Sequence, residues 1–151
     1  MKKTLLIGAV FCLSSLLSCG QGSGANSSTG GQGIVFDEGT FQELLDKAKA
    51  ENKLVFIDAY ASWCGPCKRM ASEVFPQPEV GEYFNATFIN AKFDMEKGEG
   101  IQIARRYKVD RYPTFLLVDG QGVLKGRMIG GSPAADFIKR IKQLVLKADQ
   151  Q

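Results

Sequence analysis

The 151-residue sequence contains no histidine and only four cysteines. A closed zinc site takes four ligands, usually cysteine or histidine. Cys12 and Cys19 belong to the leader-like amino end, so no second cysteine pair accompanies Cys64 and Cys67 after processing. No metal site is therefore expected, and nothing in the sequence calls for another cofactor. A strong charge imbalance is missing as well. The formal net charge is +3, and no basic block is interleaved with aromatic residues, so a nucleic-acid partner is not expected. A long apolar run is also lacking. The stretch from Leu5 to Leu17 falls short of the ~20 residues needed to cross a bilayer.

The amino end does carry the pattern of a secretory leader, with Lys2 and Lys3 ahead of the short apolar run. The run closes on "LLSC", ending at Cys19. This resembles the lipobox of bacterial lipoproteins, in which the cysteine is lipidated and becomes the new amino terminus. A cysteine at that junction has little other use, which favours lipidation over ordinary cleavage a little downstream. Residues 1–18 are then the signal peptide, and Cys12 leaves with them. Loss of Lys2 and Lys3 brings the net charge to about +1. Residues 19–33, with the uncharged "GQGSGANSSTGGQG", read as a flexible tether with a reach of about 20 Å. The expected location is the cell envelope, facing the periplasm, with the chain held to a membrane by its lipid.

Residues 34–151 are long enough for one compact core. In "TFQELLDKAKAEN", Phe41, Leu44, Leu45 and Ala48 share a helical face, and Thr40 with Glu43 makes a capping box. "KLVFIDAY" is a short apolar run of strand formers, as a strand buried on both faces should be. "PCKRMASEVF" reads as a helix broken by Pro76 and Pro78, and "VGEYF" as one or two further helical turns. A second strand in "ATFINAKFD" and a helix in "GIQIARRYKV" follow. "TFLLVD" and "VLKGRMIG" form a hairpin across Gly120 to Gly122. The last helix is expected to have Ser132 as N-cap and Pro133 at its first position. Phe75, Tyr83, Phe84 and Phe88 read as core, and Arg105, Arg106, Lys108 and Arg111 as a solvated face. The predicted class is α/β, a central mixed sheet flanked by helices.

Cys64 and Cys67 fall where the first strand gives way to a helix, the end at which open α/β sheets place their chemistry. As a staple the pair would close a very short loop and remove little denatured-state entropy. As a redox pair it is well placed. A thiol at a helix N-terminus is favoured as the thiolate by the helix dipole and the free amides. Cys64 is expected to be exposed and to attack a disulfide. Cys67, one turn in, is expected to be more buried and to resolve the mixed disulfide. Pro66 suits the first turn without wasting an amide donor.

"WCGPCK", Trp63 to Lys68, resembles the active-site motif of the thioredoxin family, and the likeness extends in order over residues 34–151. The branch it resembles is the membrane-tethered, periplasmic one. The resemblance implies the thioredoxin fold and thiol–disulfide exchange on protein disulfides, with Cys64 and Cys67 as the redox-active disulfide. It implies that Asp58 relays the proton of Cys67 and that Lys92 pairs with that acid. It further implies that "RYPTFLLVDGQG" supplies a cis proline, Pro113, and that Gly130 or Gly131 is the late glycine near the site. Trp63, Gly65, Pro66, Tyr112 and Pro113 would support the site and meet the client. Tyr112 is bulkier than the isoleucine or valine common there.

The residues weigh separately on these roles. An acid inside "VFIDAY" is costly to bury unless it is paired or working, which favours function for Asp58. For Lys92, solvation at a strand end and pairing with Asp58 both stay open. Trp63 reads as a packing residue and a lid over the sulfurs. The expected activity is reduction, carried out by a monomer that draws electrons from a membrane thiol donor. Oxidation or isomerisation, or a binding or chaperone-like module without turnover, are the alternatives.

Overall fold

The computed structural model describes residues 31–148 and 150. The leader 1–18, the lipidation candidate Cys19 and the tether residues 19–30 lie outside these. Helix α1 (Phe41–Glu51) starts at Thr40, whose hydroxyl accepts from Glu43 N–H while the Glu43 carboxylate receives the Thr40 N–H, closing the capping box. Its stripe Phe41, Leu44, Leu45 and Ala48 is buried, as the spacing predicts. Strand β1 (Leu54–Tyr60) leads to α2 (Gly65–Arg69), which continues into a π-helical turn, Met70–Val74. The turn is closed by Phe75 N–H donating to Met70 C=O at 2.9 Å, five residues back.

Helix α3 (Pro78–Thr87) is ten residues long, where the sequence predicts one or two turns. Pro78 starts this helix rather than interrupting it, because the first turn needs no amide donor. Strand β2 (Phe88–Asp94), helix α4 (Gly100–Tyr107), strands β3 (Thr114–Val118) and β4 (Leu124–Ile129), and helix α5 (Ala134–Ala148) complete the order. At the start of α5, Phe137 N–H donates to Pro133 C=O, and the Ser132 hydroxyl is buried without a partner. Ser132 is thus not the side-chain cap its type suggests.

The sheet order is β2-β1-β3-β4, with β1 and β2 parallel and the other pairs antiparallel. Alternation along β1 divides the core. Val55, Ile57 and Ala59 pack with α1 and α4, whereas Phe56 joins Phe84, Phe88, Phe115 and Phe137 against α3 and α5. Asp58 shares the parity of Phe56 and thus lies on the aromatic face.

Residues 32–38 form an arm along β2 that the sequence reading did not assign to any element. Asp37 N–H donates to Asn90 C=O at 2.8 Å and Ile34 N–H to Phe75 C=O at 2.8 Å. Val35 N–H donates to Asn85 Oδ1 at 2.9 Å, and Asn90 Nδ2 to Val35 C=O at 3.2 Å. The approach is so close that a Cβ added to Gly81 would lie 2.0 Å from Gln32 C=O. Among the described residues no helix is long and apolar enough to cross a membrane.

Candidate active site

Strand β1 ends at Tyr60, and a tight turn carries the chain to Cys64, the N-cap of α2. Cys64 N–H donates to Ala61 C=O at 3.0 Å, which closes that turn. Cys64 and Cys67 are joined as a disulfide with their Cα atoms 5.3 Å apart. Cys67 N–H donates to Cys64 Sγ at 3.1 Å, so one free amide of the helix's first turn is directed at that sulfur. The sequence reading expects an exposed Cys64 beside a buried Cys67. Instead both are buried, with 2% and 5% of their surface exposed. In the bonded pair the Cys64 sulfur is covered, with Ala61, Tyr60 and Tyr112 packed around the two cysteines.

The flanking residues of the motif divide in two. Pro66 occupies the first turn of α2, and a Cβ on Gly65 would stand in open space. Trp63 is not a packed core residue, since 66% of its surface is exposed. Its ring stands edge-on to Tyr112, with centroids 5.9 Å apart, and its Nε1–H donates to Glu96 Oε2 at 2.9 Å. The indole therefore stands on the rim, and Glu96 is a contributor that the sequence reading did not single out. The Tyr112–Pro113 peptide bond is cis, and Pro113 C=O accepts from Gly130 N–H at 2.9 Å. Gly131 comes close to Met70, because an added Cβ would lie 2.9 Å from its sulfur.

Asp58 is buried, with 5% of its surface exposed, and its Oδ1 has no hydrogen-bond partner. Burial penalises the carboxylate and pushes its pKa from 3.8 up to about 7, against a smaller downward pull from the Lys92 charge. Asp58 and Cys67 line a common cavity of about 300 Å³, together with Lys68, Ala71 and Lys92. Lys92 is the register partner of Asp58 across the parallel strands. Even so, among the described residues Lys92 takes part in no ion pair. Its Nζ lies over the Phe36 ring, 5.3 Å from the centroid. Among the described residues no cluster of three or more cysteine or carboxylate side chains is arranged to hold a metal ion.

Comparison with known proteins agrees with this architecture. A family model described as a thioredoxin-like domain matches residues 41–144. Thioredoxin H2-1 of rice, Oryza sativa, is 38% identical over 96 residues, which is 64% of this chain and 64% of that protein. The thiol:disulfide interchange protein DsbD of Pseudomonas fluorescens is 33% identical over 105 residues, 68% of this chain and 18% of that protein. The chain thus spans less than two thirds of the length of these curated relatives. Among solved structures, a candidate disulphide-isomerase from Bacteroides thetaiotaomicron aligns with a TM-score of 0.68 at 43% identity, covering 76% of this chain and 94% of that one.

Proposed function

Because the chain belongs to the thioredoxin-like domain family and has the thioredoxin fold, we propose that it is a thiol–disulfide oxidoreductase that reduces protein disulfides in the cell envelope. The observation that carries this reading is the Cys64–Cys67 disulfide at the head of α2, with a buried carboxyl group lining the cavity behind Cys67. In the reduced form, the Cys64 thiolate attacks one sulfur of a client disulfide and the other client sulfur leaves as a thiolate. Asp58 takes the proton of Cys67 across the cavity, which has room for water to carry it. The Cys67 thiolate then attacks Cys64 Sγ and releases the second client thiolate. Two electrons have passed to the client, and the pair ends as the disulfide. A dithiol protein of the membrane must return those electrons.

Trp63, Gly65, Pro66, Tyr112 and Pro113 frame the approach of the client, while the Lys92 charge acts on the buried acid from across the cavity without an ion pair. Lipidation of Cys19 would hold this monomeric domain at a membrane on the tether of residues 19–33. The experiment is reduction of insulin by the purified full-length chain with a dithiol as electron source. Turnover is expected, with its loss in Cys64→Ser. Absence of turnover in the parent would refute the reductase reading. Isomerisation is the second reading, favoured by the similarity to the Bacteroides protein. Refolding of a scrambled disulfide substrate faster than insulin reduction would select it. Cys19→Ser should move the chain from the membrane fraction to the soluble fraction, and an unchanged distribution would remove the lipid anchor from this proposal.

A further inference from the structure

The arm of residues 32–38 places one aromatic ring beside the acid of the site. Phe36 is pinned from both sides: Val35 is bonded to Asn85 and Asn90, and Asp37 N–H to Asn90 C=O. Its ring meets the Phe75 ring edge-on, with centroids 5.6 Å apart. Over the Phe36 ring lies the Lys92 ammonium, 5.3 Å from its centroid. A second cavity, of about 300 Å³, runs from the arm at Phe36 to Asp58 and Lys92. Asp37, the carboxylate nearest in sequence, is engaged by Lys47 and by Asn90 N–H.

We propose that Phe36 is a positioning residue for the buried acid: its ring holds the Lys92 ammonium at the arm side of the cavity, short of contact with the Asp58 carboxyl group. An ammonium over an aromatic face is attracted by the ring quadrupole. An ammonium in contact with a buried carboxylate would instead stabilise the anion strongly. The other groups facing Asp58 offer no substitute for Phe36. Cys67, Lys68 and Ala71 line the same cavity as Asp58 from α2 and its π-helical turn, and Tyr60 from its own strand, but of these only the uncharged Ala71 also lines the arm-side cavity. Phe115 is its β3 neighbour, and the arm residues 32–36 carry no charge. The ring thus governs how far the Lys92 charge, the one cation among the described residues lining the arm-side cavity, is kept from Asp58. This inference rests on the proposed role of Asp58 in proton transfer, which gives the separation its use.

The test is the titration of the Asp58 carboxyl carbon by ¹³C NMR in the oxidised full-length chain, its resonance identified by loss in Asp58→Asn. Phe36→Leu frees the ammonium to close on the carboxylate, and the midpoint should fall by about half a pH unit, the scale of one exposed cation–π contact. Lys92→Met should raise the midpoint, and Phe36→Leu added to it should cause no further shift. Phe36→Tyr should restore the parent value. An equal fall in the presence and absence of Lys92, or no fall at all, would overturn the proposal and leave Phe36 a packing residue. Should Phe36→Leu not fold, the parent protein decides: the Lys92 ε-methylene protons must be shifted upfield by the ring, and ordinary lysine shifts overturn the proposal. Expected midpoints with an unchanged pH–rate profile of disulfide reduction would refute the proton-transfer role of Asp58 while the positioning by Phe36 stands.

Discussion

Phe56 and Asp58 stand two residues apart on the same face of the same buried strand, and their surroundings are opposite. Phe56 is sealed by Phe84, Phe88, Phe115 and Phe137, with ring centroids 4.7 to 6.2 Å away. Asp58 has a cavity in front of it and an oxygen without a partner. The same degree of burial therefore stabilises at one position and destabilises at the other. Close packing ends where the sheet meets α2, and the cavity shared with Cys67 opens there. A buried acid with one unsatisfied oxygen persists there at a cost to folding, which the proposed proton-transfer role would offset.

The sharpest way to break this contrast is at the packed position. Phe56→Ala should lower the stability by about 3–5 kcal/mol, because a ring is removed from a site that cannot collapse around the loss. Chemical denaturation with an unchanged m-value would measure it, and a loss below about 1 kcal/mol would show that the aromatic cluster is loosely packed.

At Asp58 the sign should reverse. The folded pKa of about 7 lies above the ordinary 3.8, so the folded protein keeps a proton that the unfolded chain has released between those values. Stability from this group is intact below about pH 4 and falls as pH rises toward 7, reaching a plateau cost on the order of 4 kcal/mol above it. Asp58→Asn should therefore stabilise the domain at pH 8 and lose most of that gain by pH 4. A gain independent of pH would mean that the carboxyl does not titrate as assigned. The same variant should slow disulfide reduction roughly tenfold, most strongly at mildly acidic pH where thiolate is scarce. Stopped-flow rates for both forms across that range would check it, and equal rates throughout would leave the acid a structural residue.

The smallest effect belongs to the rim. Glu96→Gln replaces a charged acceptor for the indole by a neutral one at an exposed site and should change stability by less than about 1 kcal/mol. Trp63 is the single tryptophan, so its emission reports this contact without interference. A shift in emission with stability unchanged is the expected result, and an unchanged spectrum would show that the indole is not held by Glu96.

Much of this arrangement is legible along the chain. The capping box and apolar stripe of α1, the apolar run of β1 and the Cys-Gly-Pro-Cys turn after it are local patterns, and the elements formed where those patterns stood. The acid inside "VFIDAY" was conspicuous for the same reason, since its neighbours in sequence must be buried. Other features left no such trace. "GQGIVFDEG" has no period, yet its residues lie along β2 because Asn85, Asn90 and Gly81 meet them there. Pro78 looked like a breaker and is a helix start, a distinction that depends on which turn the proline occupies.

The order of strands and helices and the place of the sulfur pair at the end of β1 follow from local pattern, because periodicity, caps and turn residues act over a few neighbours. Where the long and polar side chains came to rest depended on contacts between distant parts of the chain. Lys92 lies over Phe36, 56 positions earlier in the chain, and Cys64 is covered beside Tyr112. Asp58 was left without a partner for its Oδ1. Each of these depends on atoms that only folding brings within a few ångströms, and on a desolvation that does not exist until the sheet is covered.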